Sequence, residues 1–176
     1  MPAIADSTPL IWLSKIGKIS LLEKLYNQVI IPHEVYNEVV TFGLQQGYSD
    51  AIVVKDSIKK GWIKVQTLND TQTERSQMIV EHAEELHLGE VQAIILAQTY
   101  NALLLMDESS GRAFAETWGL KVHGTIYVIL QGLRKSIQTK EEAMMAIYSL
   151  VEKGFRIEPS IILQVLKEIQ QYRLQG

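Results

Sequence analysis

Five consecutive apolar residues at positions 102–106 constrain the fold of this chain more than any other feature. The run lacks the polar alternation of a strand with one solvated face, and it is typical of a parallel strand that is covered on both faces. The acidic pair Asp107 and Glu108 follows it directly. Ligands bind beyond the carboxyl ends of the strands in open parallel sheets, so the run predicts such a sheet with acidic groups at its binding edge.

Segments with strand character alternate with helical segments along the rest of the chain. Strands are predicted at residues 3–5, 29–31, 62–65 and 121–123. Helices are predicted after Asp6, from Ser20, from Pro32, at 52–58, at 71–85, from 87, at 110–118, from Thr139 and from Ser160. Ser20, Thr71 and Thr139 each stand three residues before a Glu, the spacing of a capping box. This alternation favours an α/β fold with a central, mostly parallel sheet.

Composition excludes several classes of protein. The chain has 176 residues, which suits one domain, and no cysteine, which excludes disulfides, thiolate metal sites and cysteine nucleophiles. The first residues lack a basic signal region, and no apolar run approaches the ~20 residues of a membrane span. We therefore expect a cytoplasmic protein without a membrane segment.

Charge and motifs exclude further classes. The formal net charge is −3 and the basic residues are scattered, so an extended phosphate-binding surface is not predicted, and Arg112 is interpreted as a surface or ion-pair residue. Neither a glycine-rich nucleotide-binding motif nor a Gly-x-Ser-x-Gly nucleophile motif occurs. The four histidines do not have the spacing of metal ligands, and we predict surface or structural roles for them: His33, His82, His87 and His123. A metal ion would therefore bind carboxylates.

Four acidic residues, far apart in the sequence, fall where a parallel sheet would bring them to one edge: Asp6, Glu38, Glu90 and Asp107. Two carboxylates about 4 Å apart repel each other by about 4 kcal/mol at an effective dielectric constant of 20, so such a cluster needs a cation or a proton. Oxygen ligands without cysteine select Mg²⁺ or Mn²⁺. Each acid also has an ordinary structural alternative: a helix cap, a helix-dipole partner, a turn residue or a solvated helix face, where Glu34 competes with Glu38.

Four segments that contain these acids form a set. They are residues 5–11 (Ala-Asp-Ser-Thr-Pro-Leu-Ile), 31–39 (Ile-Pro-His-Glu-Val-Tyr-Asn-Glu-Val), 88–94 (Leu-Gly-Glu-Val-Gln-Ala-Ile) and 104–108 (Leu-Leu-Met-Asp-Glu). Each segment alone is a weak signal, whereas the set is fairly specific. Together the segments resemble the PIN domains, in particular the VapC-like ribonuclease toxins and their bacterial and archaeal relatives, over about residues 3–135.

The resemblance implies a three-layer α/β/α domain that hydrolyses RNA with a divalent metal. It makes Asp6, Glu38, Glu90 and Asp107 the catalytic and metal-binding acids, Glu108 an accessory acid, and Thr8 and Thr125 nearby hydroxyl helpers. Two departures from the family pattern matter. Glu108 stands where many relatives have a second Asp, so which of residues 107 and 108 faces the metal stays open. Ser7, rather than the common Thr, follows Asp6.

The resemblance also implies an organisation and partners. Residues 1–135 would form the PIN-like nuclease domain, and residues 136–176 a C-terminal helical extension packed on the same domain. RNA is the implied substrate, Mg²⁺ or Mn²⁺ the implied cofactor, and a small antitoxin protein an implied partner. Apolar residues recur at helical spacing in residues 160–172, which predicts either a homodimer or higher oligomer joined through this helix, or packing of the helix on its own core.

Two other functions compete with that of a nuclease. An inactive PIN-like module could bind RNA or a protein without cleavage, although the complete set of four acids favours catalysis. A phosphate-accepting receiver domain also gathers acids around Mg²⁺ at sheet ends, but it carries adjacent acids after its first strand, where Asp6 stands alone. The predicted mechanism is metal-assisted hydrolysis of a phosphodiester by an activated water.

Overall fold

A five-stranded parallel sheet forms the centre of the computed structural model, which describes residues 2–172. The strands are β1 (Ala3–Ala5), β2 (Val29–Pro32), β3 (Ile63–Gln66), β4 (Leu103–Leu105) and β5 (Val122–His123). Their order across the sheet is β3-β2-β1-β4-β5, and every neighbouring pair is parallel. The predicted α/β class with a mostly parallel central sheet is therefore confirmed.

Helices cover both faces of the sheet. They are α1 (Ser7–Lys15), α2 (Ser20–Tyr26), α3 (His33–Tyr36), α4 (Gly43–Gln45), α5 (Ser49–Lys60), α6 (Asp70–His82), α7 (Leu88–Tyr100), α8 (Ser109–Thr117), α9 (Thr125–Arg134), α10 (Lys140–Glu152) and α11 (Pro159–Gln171). Successive strand residues alternate between two cores: Leu105 belongs to the core under α1 and α9, and Leu104 to the core under α7. The apolar run in β4 is thus buried on both faces, as the absence of alternation predicts.

A π-helical segment, Asn37–Phe42, joins α3 to α4. Val35, Val39 and Phe42 recur at α-helical spacing in this part of the chain. The structure buries Val35 and Val39 but leaves Phe42 53% exposed. The wider π turn accommodates one extra residue, Val40, on the buried side, so the next buried position moves to Gly43. Single π turns of this kind occur often at functional sites.

Two of the three predicted capping boxes are wrong. Helix α2 follows Ile19, whose backbone is already helical, so Ser20 lies inside the helix and caps nothing. The N-cap of α6 is Asn69, two residues before the predicted Thr71, and its capping-box partner is Gln72. The helix ends at His82 rather than near Glu85. The box of Thr139 with Glu142 is present, with both reciprocal hydrogen bonds formed.

The last helix packs against the main core. Val165 and Ile169 of α11 are buried there, and Ile162 and Leu166 pack against the same cluster. Hydrogen bonds from Lys140 Nζ to the Gln170 carbonyl and from the Tyr172 hydroxyl to the Arg134 carbonyl attach the helix to α9 and α10. Packing on its own core therefore accounts for most of the periodicity of this helix, and the oligomer stays a prediction. None of the helices in residues 2–172 is long and apolar enough to span a membrane.

Candidate active site

Three neighbouring strands in the middle of the sheet deliver acidic residues to the same edge. Asp6 follows β1, Asp107 follows β4, and Glu38 lies in the π-helical segment reached from β2 through α3. Glu90 comes from the first turn of α7, which packs over these strands. The topology thus places these four residues at the carboxyl edge of the sheet.

Asp6 is the most deeply buried acid of the group, with 1% of its surface exposed. Burial, and to a smaller extent the negative charges of Glu90, Glu38 and Asp107, raise the pKa of its carboxyl from 3.8 to about 7. The backbone N–H of Ser7 acts in the opposite direction. Hydroxyls of Ser7 and Thr8 lie 3.5 Å from the two carboxylate oxygens, too far for strong hydrogen bonds. Without a cation, this carboxylate is therefore poorly compensated.

Glu38 reaches the site because Gly89 has no side chain. A Cβ atom at position 89 would lie 2.5 Å from Glu38 Oε1 and 3.0 Å from its Cδ, closer than real Cβ atoms come. The carboxylate therefore lies against the backbone at the start of α7. Burial raises its pKa, while the nearby Ser7 hydroxyl lowers it. Its competitor Glu34 is near enough to raise that pKa but is not among the residues that line the site.

Glu90 takes part in the cap of α7 as well as in the acidic cluster. Its Oε2 accepts a hydrogen bond of 3.0 Å from the backbone N–H of His87, the residue that precedes the helix. Burial raises the pKa of Glu90, and the N–H and imidazole of His87 lower it. Glu90 therefore caps the helix through one carboxylate oxygen and also lies in the acidic cluster.

The cluster opens into a cavity of about 260 Å³. Eight residues line it: Asp6, Ser7, Thr8, Glu38, Glu85, His87, Glu90 and Glu108. His87 is exposed and caps α7, in agreement with the surface or structural role predicted for it, and its charge also acts on both Glu38 and Glu90. Its place directly before the Leu-Gly-Glu segment was the available sequence signal. Among residues 107 and 108, it is Glu108 that lines this cavity.

Asp107 is engaged at the start of α9. Its two carboxylate oxygens accept hydrogen bonds from the Thr125 N–H (2.7 Å) and the Thr125 hydroxyl (2.6 Å). Burial raises the pKa of Asp107, and these two bonds and the nearby Arg112 guanidinium lower it. Asp107 thus caps a helix from a distant strand, and it lines a larger neighbouring groove rather than the acid cavity. Thr125, predicted as a hydroxyl helper, is the residue that holds it.

The donors of the cavity suit a hard divalent cation, because they are carboxylates whose pKa values are raised and which repel one another. As the side chains stand, no three Asp, Glu or His residues in the described part of the chain form a group that could hold one metal ion. The fit to a metal thus lies in the type and charge of the donors. Mutual repulsion keeps uncompensated carboxylates apart, and the side chains would have to close around a cation.

Asp107→Ala is expected to destabilise the protein by about 1–3 kcal/mol, because the buried Thr125 N–H and hydroxyl lose their acceptors. Asp107→Asn is the matched control. Its carbonyl can accept from the N–H and its amide can donate to the hydroxyl, so we expect a loss below about 1 kcal/mol. Urea unfolding in EDTA measures both values. Equal stability of Asp107→Ala and wild type would show that Asp107 is not a cap.

Comparison with known proteins identifies the family. A family model described as DUF3368, PIN domain, matches residues 2–171 of the chain. A search of curated proteins found no match. Among solved structures, the chain is similar to a PilT N-terminus domain protein from the hyperthermophilic archaeon Sulfolobus solfataricus P2, with a TM-score of 0.49 and 16% identity, over 76% of this chain and 94% of that one. The family model spans nearly all of the described residues, and the chain belongs to the PIN-domain family.

Proposed function

We propose that this protein is a metal-dependent endoribonuclease that uses Mg²⁺ or Mn²⁺. PIN domains are generally nucleases and generally use divalent metals. The observation that carries the proposal is the Asp6 carboxyl, which is buried beside Glu38 and Glu90 and whose pKa is raised to about 7 by that burial and by the neighbouring negative charges. Burial of several uncompensated carboxylates costs stability, and groups with strongly shifted pKa values in a cleft mark functional sites.

Four residues would hold the metal: Asp6, Glu38, Glu90 and Glu108. A bound divalent cation would neutralise charge on the phosphate and lower the pKa of a bound water, so that this water can act as a nucleophile at neutral pH. Gly89 keeps the carboxylate of Glu38 in place, and His87 holds one oxygen of Glu90 through its backbone N–H. Asp107 and Thr125 fix the start of α9 beside the cavity, and Asp107 also adds negative charge around Asp6.

The family resemblance adds RNA as the substrate and a small antitoxin protein as a partner, and both belong to this proposal. RNA also suits a small acidic site, because a metal ion can supply the positive charge that the chain, with its net charge of −3, does not.

Purified protein is expected to cleave single-stranded RNA in Mg²⁺ or Mn²⁺ and to stop completely in EDTA. A circular RNA substrate distinguishes endonuclease from exonuclease action, since a circle has no ends and must be cut internally. Electrophoresis of the products over time measures the rate. Cleavage that continues in EDTA would contradict the metal requirement, and a protein that binds RNA but leaves it intact in both metals would be the inactive module instead.

A further inference from the structure

An apolar patch lies on the surface where the π-helical segment, α4 and α5 meet. Its five large hydrophobic residues are 37–53% exposed, and none of them belongs to either core or packs against one. They are Phe42, Leu44, Tyr48, Ile52 and Val53. We call this surface the α4–α5 patch. Within residues 2–172, these side chains are left to solvent, so the patch is available to another molecule.

The patch is continuous because the elements that carry it are in direct contact. A Cβ atom at Gly43 would lie 2.7 Å from the Cβ of Ala51, so α4 and α5 touch at these two residues. The residues on both sides of Gly43 and the residue after Ala51 are members of the patch. The backbone N–H of Tyr48 donates a hydrogen bond of 2.9 Å to the Gly43 carbonyl, which places the start of α5 beside α4. The exposed side chains therefore border one buried contact and form a single surface.

The size of the patch suits a stable interface. With roughly 150–200 Å² for a complete large side chain, exposed fractions of 37–53% leave about 400 Å² of apolar surface. A standard interface takes about 800 Å² from each partner, of which about 55–65% is apolar. The patch alone thus supplies most of the apolar area that one side of such an interface needs.

The patch has no charge of its own. Residues 41–49, Thr-Phe-Gly-Leu-Gln-Gln-Gly-Tyr-Ser, include no acidic or basic side chain, and the next residue, Asp50, is buried. The first exposed charges that follow on α5, Lys55 and Asp56, are of opposite sign. Two identical surfaces can therefore meet without repulsion between like charges, whereas a partner selected by its charge would find no opposite charge in residues 41–49. Few charges and several aromatic residues are typical of the centre of an interface.

We propose that the α4–α5 patch is the contact surface between two copies of this chain, which associate as a twofold-symmetric dimer. In such a dimer the same patch lies on both partners, so its own apolar surface is the complement that it needs. This surface is different from α11, most of whose apolar residues pack on the core of their own chain. None of the five patch residues lines the acid cavity, and the dimer does not depend on the proposed function.

Self-association can be measured directly on the full chain. Sedimentation velocity and light scattering, from about 1 to about 100 µM protein, report the mass in solution. We expect twice the chain mass at the upper end of this range. Ile52→Glu is expected to weaken the dimer at least 100-fold and to give the mass of one chain throughout, because twofold symmetry places two new carboxylates in one apolar contact. Tyr48→Glu is a second variant at the start of α5, and we expect the same result.

Met145→Glu and Leu163→Glu are the matched controls. They add the same charge at apolar positions that are 60% exposed on α10 and 70% exposed on α11. We expect both to remain dimeric with affinity within about threefold of wild type, and Leu163→Glu also tests association through α11. Neither these two residues nor Ile52 belongs to a core, so all of these variants should fold, and circular dichroism verifies this.

Each contrary outcome identifies what is wrong. Wild-type protein that stays monomeric over the whole range would overturn the proposal and leave the patch to a different protein. A dimer that persists in both Ile52→Glu and Tyr48→Glu, or one that only Leu163→Glu dissociates, would place the interface elsewhere and also overturn it. Metal-dependent cleavage by a monomer would leave the nuclease proposal intact without the dimer, and a dimer that depends on Ile52 but leaves RNA intact would support the patch and refute the nuclease.

Discussion

Asp6→Asn is expected to reduce RNA cleavage at least 100-fold and, without metal, to make the protein more stable than wild type at pH 8. Loss of activity is expected because the proposed function makes Asp6 a metal ligand, and even substitution of residues that only hydrogen-bond to metal ligands commonly costs 10–100-fold. The gain in stability follows from burial. Asp6 is 1% exposed, and its carboxylate must ionise at pH 8 among three other acids. A neutral amide of nearly the same shape avoids that cost.

The pH dependence has a definite sign. The pKa of Asp6 is raised from 3.8 to about 7 on folding, so the folded state binds more protons than the unfolded state between these values. The free energy of unfolding of wild type should therefore fall as pH rises from about 4 to about 7 and then level off. A shift of this size corresponds to at most about 4 kcal/mol, or on the order of 10 °C in melting temperature. Asp6→Asn lacks this loss.

Thermal melts in EDTA between pH 4 and pH 8 measure the difference, and the same melts with Mn²⁺ add a second test. Mn²⁺ at 100 times its dissociation constant should stabilise wild type by about 2.7 kcal/mol, and it should stabilise Asp6→Asn much less. If Asp6 were only a structural residue at the start of α1, the substitution would lower stability at every pH and leave the response to Mn²⁺ unchanged.

Gly89→Ala is expected to reduce cleavage at least tenfold with no loss of stability. The new Cβ would lie 2.5 Å from Glu38 Oε1 and would displace that carboxylate, which is the flexible end of a side chain. Alanine favours a helix over glycine by up to about 1 kcal/mol, so α7 itself should be unchanged or more stable. Circular-dichroism melts and single-turnover cleavage measure the two effects separately.

A double-mutant cycle tests whether Gly89 acts through Glu38. If it does, Gly89→Ala in the background of Glu38→Gln should cost little further activity, because the displaced ligand is already lost. Full additivity of the two losses would mean that Gly89 affects catalysis by another route, and the close approach of Glu38 to α7 would then have no catalytic role.

Sequence patterns predict the sheet and the acid cluster because both depend on local signals. A strand followed by an acid recurs at Asp6 and at Asp107, and parallel topology brings such positions to one edge. The family match confirms the PIN resemblance. Periodicity alone could not predict the π turn. The turn contains one more residue than an α-helical turn, and it buries the two consecutive residues Val39 and Val40.

Contacts between distant segments explain the remaining differences. Asp107 turns toward Thr125, 18 residues away, and leaves the cavity to Glu108, and neither spacing nor residue type distinguishes these neighbours beforehand. His87, although exposed, also lines the acid cavity because the helix that it caps packs over β1. Residues 154–158, between α10 and α11, are positioned by the packing of these two helices on the core, and no local motif predicts that position.

Strand order also sets when such a site can come into existence. β1 pairs with β4 through Ala3 and Leu103, so residues separated by a hundred positions must meet before Asp6 has Glu90 and Glu108 as neighbours. Contacts of such long range form late in folding, and a chain growing on the ribosome lacks them until β4 has emerged. A nascent chain that ends before β4 therefore has no assembled acid cavity, and newly made protein gains this cavity only when synthesis is well past the middle of the chain.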